Sequence, residues 1–95
     1  MTGEASLARY FFDFHDGEVR RDAQGTECAG PEDVRREVLN TLPEIARPRI
    51  PKGGGNQAFT VVVRNENNVP VYVATLTFAG AWMGEAVPTV EEPIE

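Results

Sequence analysis

The chain has 95 residues, with nine Lys+Arg, fifteen Asp+Glu and a formal net charge of -6, a length that leaves room for one hydrophobic core and not for two. Apolar residues make up 41% and charged residues 25%, which argues against disorder throughout, and no apolar run approaches the roughly 20 residues of a membrane-spanning helix. The single cysteine, Cys28, excludes an intrachain disulfide and a multi-thiolate zinc site within one protomer.

From Met1 to Ala8 there is no basic start followed by an apolar stretch of signal-peptide length, so a cytoplasmic location is expected. Residues 1–7 are expected to be disordered and residues 8–79 to form a single domain. Arg9 to Phe14 is dense in aromatic residues and alternates, so it reads as a strand with Tyr10, Phe12 and Phe14 on one face and Phe11 and Asp13 on the other. The first set is assigned to the core. Asp16-Gly17 supplies a two-residue signal for a type I′ hairpin, because both positions tolerate positive φ. A short return strand from Glu18 to Arg21 should follow, with a second turn at Asp22-Ala23-Gln24-Gly25.

Gly30 and Pro31 suit the entry to a helix, and Glu32 and Asp33 place negative charge at the positive end of its dipole. Val34, Val38, Leu42 and Ile45 then recur at spacings of four, four and three, which makes one buried stripe, while Arg35, Arg36, Glu37 and Asn40 lie outside it. Pro43 removes an intrahelical donor, so the helix either kinks there or restarts as a short segment through Arg47. Pro48, Pro51 and Gly53-Gly54-Gly55 end it. The triple glycine after Lys52 lacks the Lys-Ser/Thr ending of a phosphate loop and reads as a connector.

Ala58 to Arg64 and Val71 to Phe78 are β-branched, alternating segments around Asn65-Glu66-Asn67-Asn68, and they predict a closing hairpin. Gly80 to Glu95 carries four acids and no base and no helical or strand period, so residues 80–95 form an acidic, Pro- and Gly-containing tail that is expected to stay mobile. Its Trp82 and Met83 could dock back on the body. The sum is a small two-layer α+β domain in the order ββαββ, an antiparallel sheet with one helix, kinked or not, packed on one face. The expected core is Tyr10, Phe12, Phe14, Val38, Leu42, Phe59, Val61, Leu76 and Phe78.

One helix covers one side of such a sheet. The other side would carry Phe11, Val62, Val71 and Val73, more apolar than a solvated face, so these residues are assigned to an interface with a second protomer or another protein. The competing reading has the C-terminal tail, including Trp82 and Met83, fold back over them. Asp13, His15, Asp16 and Asp22, with Glu27 nearby, crowd the first hairpin. Carboxylates and an imidazole can ligate a divalent metal, but Asp in tight turns is expected for backbone hydrogen bonding alone. The same hairpin offers an alternative function as a small-ligand or metal sensor.

No nucleophile, base and orienting group stand at a recognisable spacing, so no catalytic residue is assigned and no cofactor is expected. Arg20-Arg21, Arg35-Arg36, Arg47, Arg49 and Lys52 could form a basic patch, yet interleaved acids and a sequence pI near 4.7 favour a solvated surface over nucleic-acid binding.

The run Arg9-Tyr10-Phe11-Phe12-Asp13, followed by Asp16-Gly17, Asp22, Gly25 and Glu27, then a helix and a hairpin containing Val63-Arg64-Asn65-Glu66, resembles a family of short bacterial proteins classed as a domain of unknown function. Its members open with Arg-Tyr-Phe-Phe-Asp and a downstream Asp-Gly. The resemblance covers about residues 8–79 and is most specific in its opening stretch. In the closing hairpin the family often has Val-Arg-Asp-Glu-x-Gly, where this chain has Asn65 and Asn68. The likeness implies the fold boundaries and a bacterial cytosolic setting, and it carries over no active site.

Overall fold

The computed structural model describes residues 7–84. Most of the expected disordered N-terminus (1–7) and of the acidic tail (80–95) therefore lies outside the described residues. The elements are β1 (Ala8–His15), β2 (Val19–Arg20), β3 (Thr26–Cys28), α1 (Pro31–Ala46), a single 3₁₀ turn (Ile50–Lys52), β4 (Asn56–Arg64) and β5 (Pro70–Ala79). They form a five-stranded antiparallel sheet in the order β2-β1-β4-β5, with β3 also paired to β1. The α+β class agrees with the sequence. The order ββαββ needs correction, because Thr26–Cys28 is an extra strand before the helix, paired with Ala8–Tyr10. With only three residues, that strand is too short to display an alternation.

The first hairpin also differs from expectation. His15 pairs with Val19, so the loop is Asp16-Gly17-Glu18 and not the two residues of a type I′ turn. Gly17 alone has positive φ there, at 102°. Asp16 instead keeps an ordinary backbone, and its N–H donates to the Glu18 carbonyl at 3.0 Å.

α1 is one helix of 16 residues, about 24 Å long at about 1.5 Å per residue, and Pro43 lies inside it without dividing it. The carbonyl that Pro43 cannot serve belongs to Leu39, which is 54% exposed, so water can take the missing donor's place. At the other end the Asp33 carboxylate accepts from the Ala29 N–H at 2.8 Å. That bond and the acidic first turn fix the entry of the helix.

Val34, Val38, Leu42 and Ala46 of α1 pack on Phe14, Phe59, Val61 and Val63 of the sheet, with Cys28 closing one side. The rings of Phe14 and Phe59 stack at 6.4 Å. Each fully buried side chain of this size contributes about 1.5–3 kcal/mol. Tyr10, Phe12 and Leu76, expected in the core, are partly buried at its margin, while Val63 and Ala46 belong to it unforeseen. Phe78 is a clear correction: it shares the helix face but is 41% exposed, because its partner is Gln57, close to the loop that enters β4 and beyond the cover of α1. Trp82 and Met83 are 81% and 92% exposed and do not dock on the body. No helix among the described residues is long and apolar enough to cross a membrane.

Candidate functional site

Alternation along β1 turns Asp13 away from the helix, yet Asp13 is only 4% exposed. A carboxylate buried at that depth requires a cation or several donors. Arg64 of β4 supplies the cation as a fork, with Nε to Oδ2 at 2.6 Å and Nη2 to Oδ1 at 2.9 Å. The Asp22 N–H adds a third bond to Asp13 at 2.9 Å. The Arg64 hydrogen bond holds the Asp13 carboxyl below its ordinary pKa against the opposing effect of burial, and the same bond raises Arg64.

Asp22 fills a gap in the sheet. β2 and β3 pair with the two ends of β1 and leave its middle open, and there the Asp22 Oδ2 accepts from the Phe12 N–H at 3.0 Å. Its other oxygen accepts from the N–H groups of Gln24 and Gly25 at 3.1 and 3.0 Å. Burial pushes the Asp22 pKa up, but bonds from Gly25, Phe12 and Gln24 together bring it below the ordinary value. Arg64 also donates to the Asp22 carbonyl at 3.0 Å and to the Asn68 side chain at 2.9 Å, and Arg21 reaches the same Asn68 oxygen at 3.0 Å.

Arg9 extends this clasp. Its guanidinium donates to the Gln24 carbonyl at 2.8 Å and pairs with Glu27 at 3.1 Å, and its N–H donates to Glu66 at 3.1 Å. Gly25 lets the turn come this close: at φ 77° a Cβ would lie 2.7 Å from Arg9 Cγ and 2.9 Å from Phe11 Cε2. In the closing hairpin, Asn65 Oδ1 accepts from the N–H groups of Asn67 and Val69 at 2.9 and 3.0 Å, a role open to either Asn or Asp.

The residues singled out as possible metal ligands are thus divided. Asp13 and Asp22 meet in the clasp, where their oxygens already accept six hydrogen bonds from backbone N–H groups and the Arg64 guanidinium. Asp16 lies at the other end of β1 and pairs with Arg49 at 3.2 Å and Arg20 at 3.8 Å, both stacked near Phe14. His15 is half-buried between Val19 and Thr60. Among the described residues no three His, Cys, Asp or Glu side chains gather as a metal cluster. Burial, Asp33 and Glu37 raise the pKa of the Cys28 thiol, which makes it a poor nucleophile. Arg35 and Arg36 of the basic candidates are drawn into pairs as well, with Glu32 and Asp33 respectively.

Sequence reading did not foresee Arg64 as the partner of Asp13. The available signal was an Asp at a mid-strand position, which demands a cation, but 51 residues separate the two.

Of the remaining candidates, Val62, Val71 and Val73 lie on the β4–β5 half of the sheet, and Phe11 lies apart from them on β1. Val62 pairs with Val73, and Val73 is 61% exposed and Val71 49%. Thr60 and Thr75 share a hydrogen bond beside them at 2.9 Å. Phe11 is half-buried, with the Arg64 guanidinium 5.0 Å above its ring, so it borders the clasp. The register shift at Val63/Arg64 leaves Val71 without a partner in β4. Val71 borders a cavity of about 230 Å³ shared with Tyr10, Pro31, Val34, Asn65 and Tyr72.

A family model described as Domain of unknown function (DUF6894) matches residues 9–77. The chain belongs to that family. The matched span opens at Arg9 of the clasp and takes in the sheet and helix almost entirely. No curated protein and no solved structure matches the chain.

Proposed function

We infer that this domain is a non-catalytic protein-interaction module that self-associates through the uncharged half of its sheet. The observation that carries the reading is the exposure of Val71 and Val73 within a stretch, residues 69–84, that contains no charged side chain. A strand left bare at a sheet edge is normally protected by lysines, other charges or bulges. β5 has only Pro70 and one register shift, both at its start. Exposed β-branched side chains on an uncharged strand favour contact with a protein surface over a dissolved ion or nucleic acid.

The clasp supports the same reading from the other side, since the carboxylates that would serve a sensor hold Arg64 and backbone N–H groups instead. Native mass spectrometry of the wild type should give a dimer or a defined higher oligomer, and Val73→Lys should shift it to monomer. A monomeric wild type across micromolar concentrations would remove the reading.

A further inference from the structure

The outer edge of β5 carries a more specific message than its exposure. The Gly80 N–H donates to the Gly55 carbonyl at 2.8 Å, and the register runs without a shift from Asn56–Ala79 to Val63–Tyr72. Main-chain groups alternate in direction along a strand, so Tyr72, Ala74, Leu76 and Phe78 bond to β4. Val73, Thr75, Thr77 and Ala79 therefore direct their N–H and C=O groups outward, where the described residues place no strand.

We propose that β5 pairs antiparallel with β5 of a second copy of this chain, around a two-fold axis at Leu76, joining the two sheets into one. The inference rests on the self-association reading and names its geometry. This register pairs all four outward residues, Val73 with Ala79 and Thr75 with Thr77, each twice by symmetry.

Side-chain sizes fit the same register. On the helix face, Phe78 falls opposite Ala74 of the second copy, Tyr72 opposite Gly80, and Leu76 opposite itself. A large residue thus meets a small one at each position off the axis, and a glycine is covered by an aromatic ring. Phe78, 41% exposed in the protomer, would lie over the partner's groove of about 200 Å³ between α1 and β5, which Leu39, Leu42, Ala74 and Leu76 line. Leu39, itself 54% exposed, would gain cover on the same side. Beyond the strand, Trp82, 81% exposed, arrives opposite Pro70, next to the cavity bordered by Val71 and Tyr72. Although the chain carries a net charge of -6, no charged residue lies in the paired segment, so two copies meet there without like-charge contact.

Disulfide trapping tests the pairing and its register. Two variants with one added cysteine each, Thr75→Cys and Thr77→Cys, are mixed and equilibrated in a glutathione buffer, and the oligomeric mass of the wild type is recorded in parallel. The native Cys28 is buried and does not interfere. Residues paired in this register have Cα atoms about 5.5 Å apart, within disulfide reach, whereas 75 to 75 and 77 to 77 are about 9 Å apart. The expected product is the mixed 75–77 disulfide, nearly to the exclusion of both symmetric ones. A symmetric 75–75 disulfide in excess would overturn the Leu76 axis. A wild-type dimer with no trapped product would overturn edge pairing and leave self-association through the open face. A wild-type monomer would overturn both.

Discussion

The two edges of the sheet are finished in opposite ways. At the β1 edge, β3 and β2 pair with the two ends of the strand, and the Asp22 carboxylate serves the Phe12 N–H between them. Charges crowd that side and nearly all have partners: Arg64 with Asp13, Arg9 with Glu27, Arg20 and Arg49 with Asp16. At the β5 edge a strand of ten residues has no charge, and no strand among the described residues covers its outer side. One edge has its polar groups satisfied within the protomer, and the other keeps main-chain donors and acceptors for water or a partner. The difference teaches which edge draws its stability from within the protomer and which leaves its polar groups open.

Substitutions can break the comparison from either side. The largest effect is expected from Asp13→Ala, which leaves the Arg64 guanidinium, 12% exposed at its side chain, without its counter-charge and should lower the urea midpoint more than any other substitution here. Adding Arg64→Met should recover most of that loss, since an apolar pair leaves no buried charge unmatched. A loss under about 1 kcal/mol, the range of exposed ion pairs, would mean the clasp is solvated.

Gly25→Ala comes next, because the turn sits at φ 77° and the new methyl meets Tyr10 O at 3.0 Å as well as the Arg9 and Phe11 side chains. About 1–3 kcal/mol should be lost, and an unchanged melting temperature would show that the turn can move off β1.

Acid should act on the clasp edge too. Asp13 and Asp22 titrate below their ordinary values in the fold, so their stabilisation is complete above the unfolded-state pKa of about 3.9 and is lost as pH falls through the lower folded values. Unfolding free energies measured between neutral pH and pH 2 should drop on that limb, and Asp22→Asn should flatten it. A flat wild-type limb would contradict the shifts.

The smallest effect on the protomer belongs to Val73→Lys on the bare edge, within about 0.5 kcal/mol as for most exposed positions. Its signature is different: the melting temperature of the wild type should rise with protein concentration, as for any assembly that binds only the folded chain, and that of the variant should not.

Much of this architecture was legible because it is written in local periodicity. The spacing of Val34, Val38 and Leu42 marks α1 to within a residue at its end, and alternation marks β1, β4 and β5. The clasp was half legible: Asp22 and Gly25 stand out as turn residues and Asp13 as an acid within a strand, but their roles depend on Arg64 and Arg9, which reach them only across strand pairings. Phe78 misled the reading because alternation gives its face correctly and says nothing about where the helix above that face ends. The three-residue loop at Asp16-Gly17-Glu18 escaped notice for a related reason, since an Asp-Gly pair permits a tight turn while the ion pairs of Asp16 with Arg49 and Arg20 hold a longer one.

By itself, then, the sequence determined the types of the longer elements, the single core and the uncharged character of residues 69–84, because each follows from side-chain chemistry along the chain. Only the tertiary structure decided which edge is sealed. That choice required Asp13 and Arg64, Phe12 and Asp22, and Arg9 and Glu27 to meet across the sheet, and such contacts are fixed by strand order and register, which no local pattern encodes.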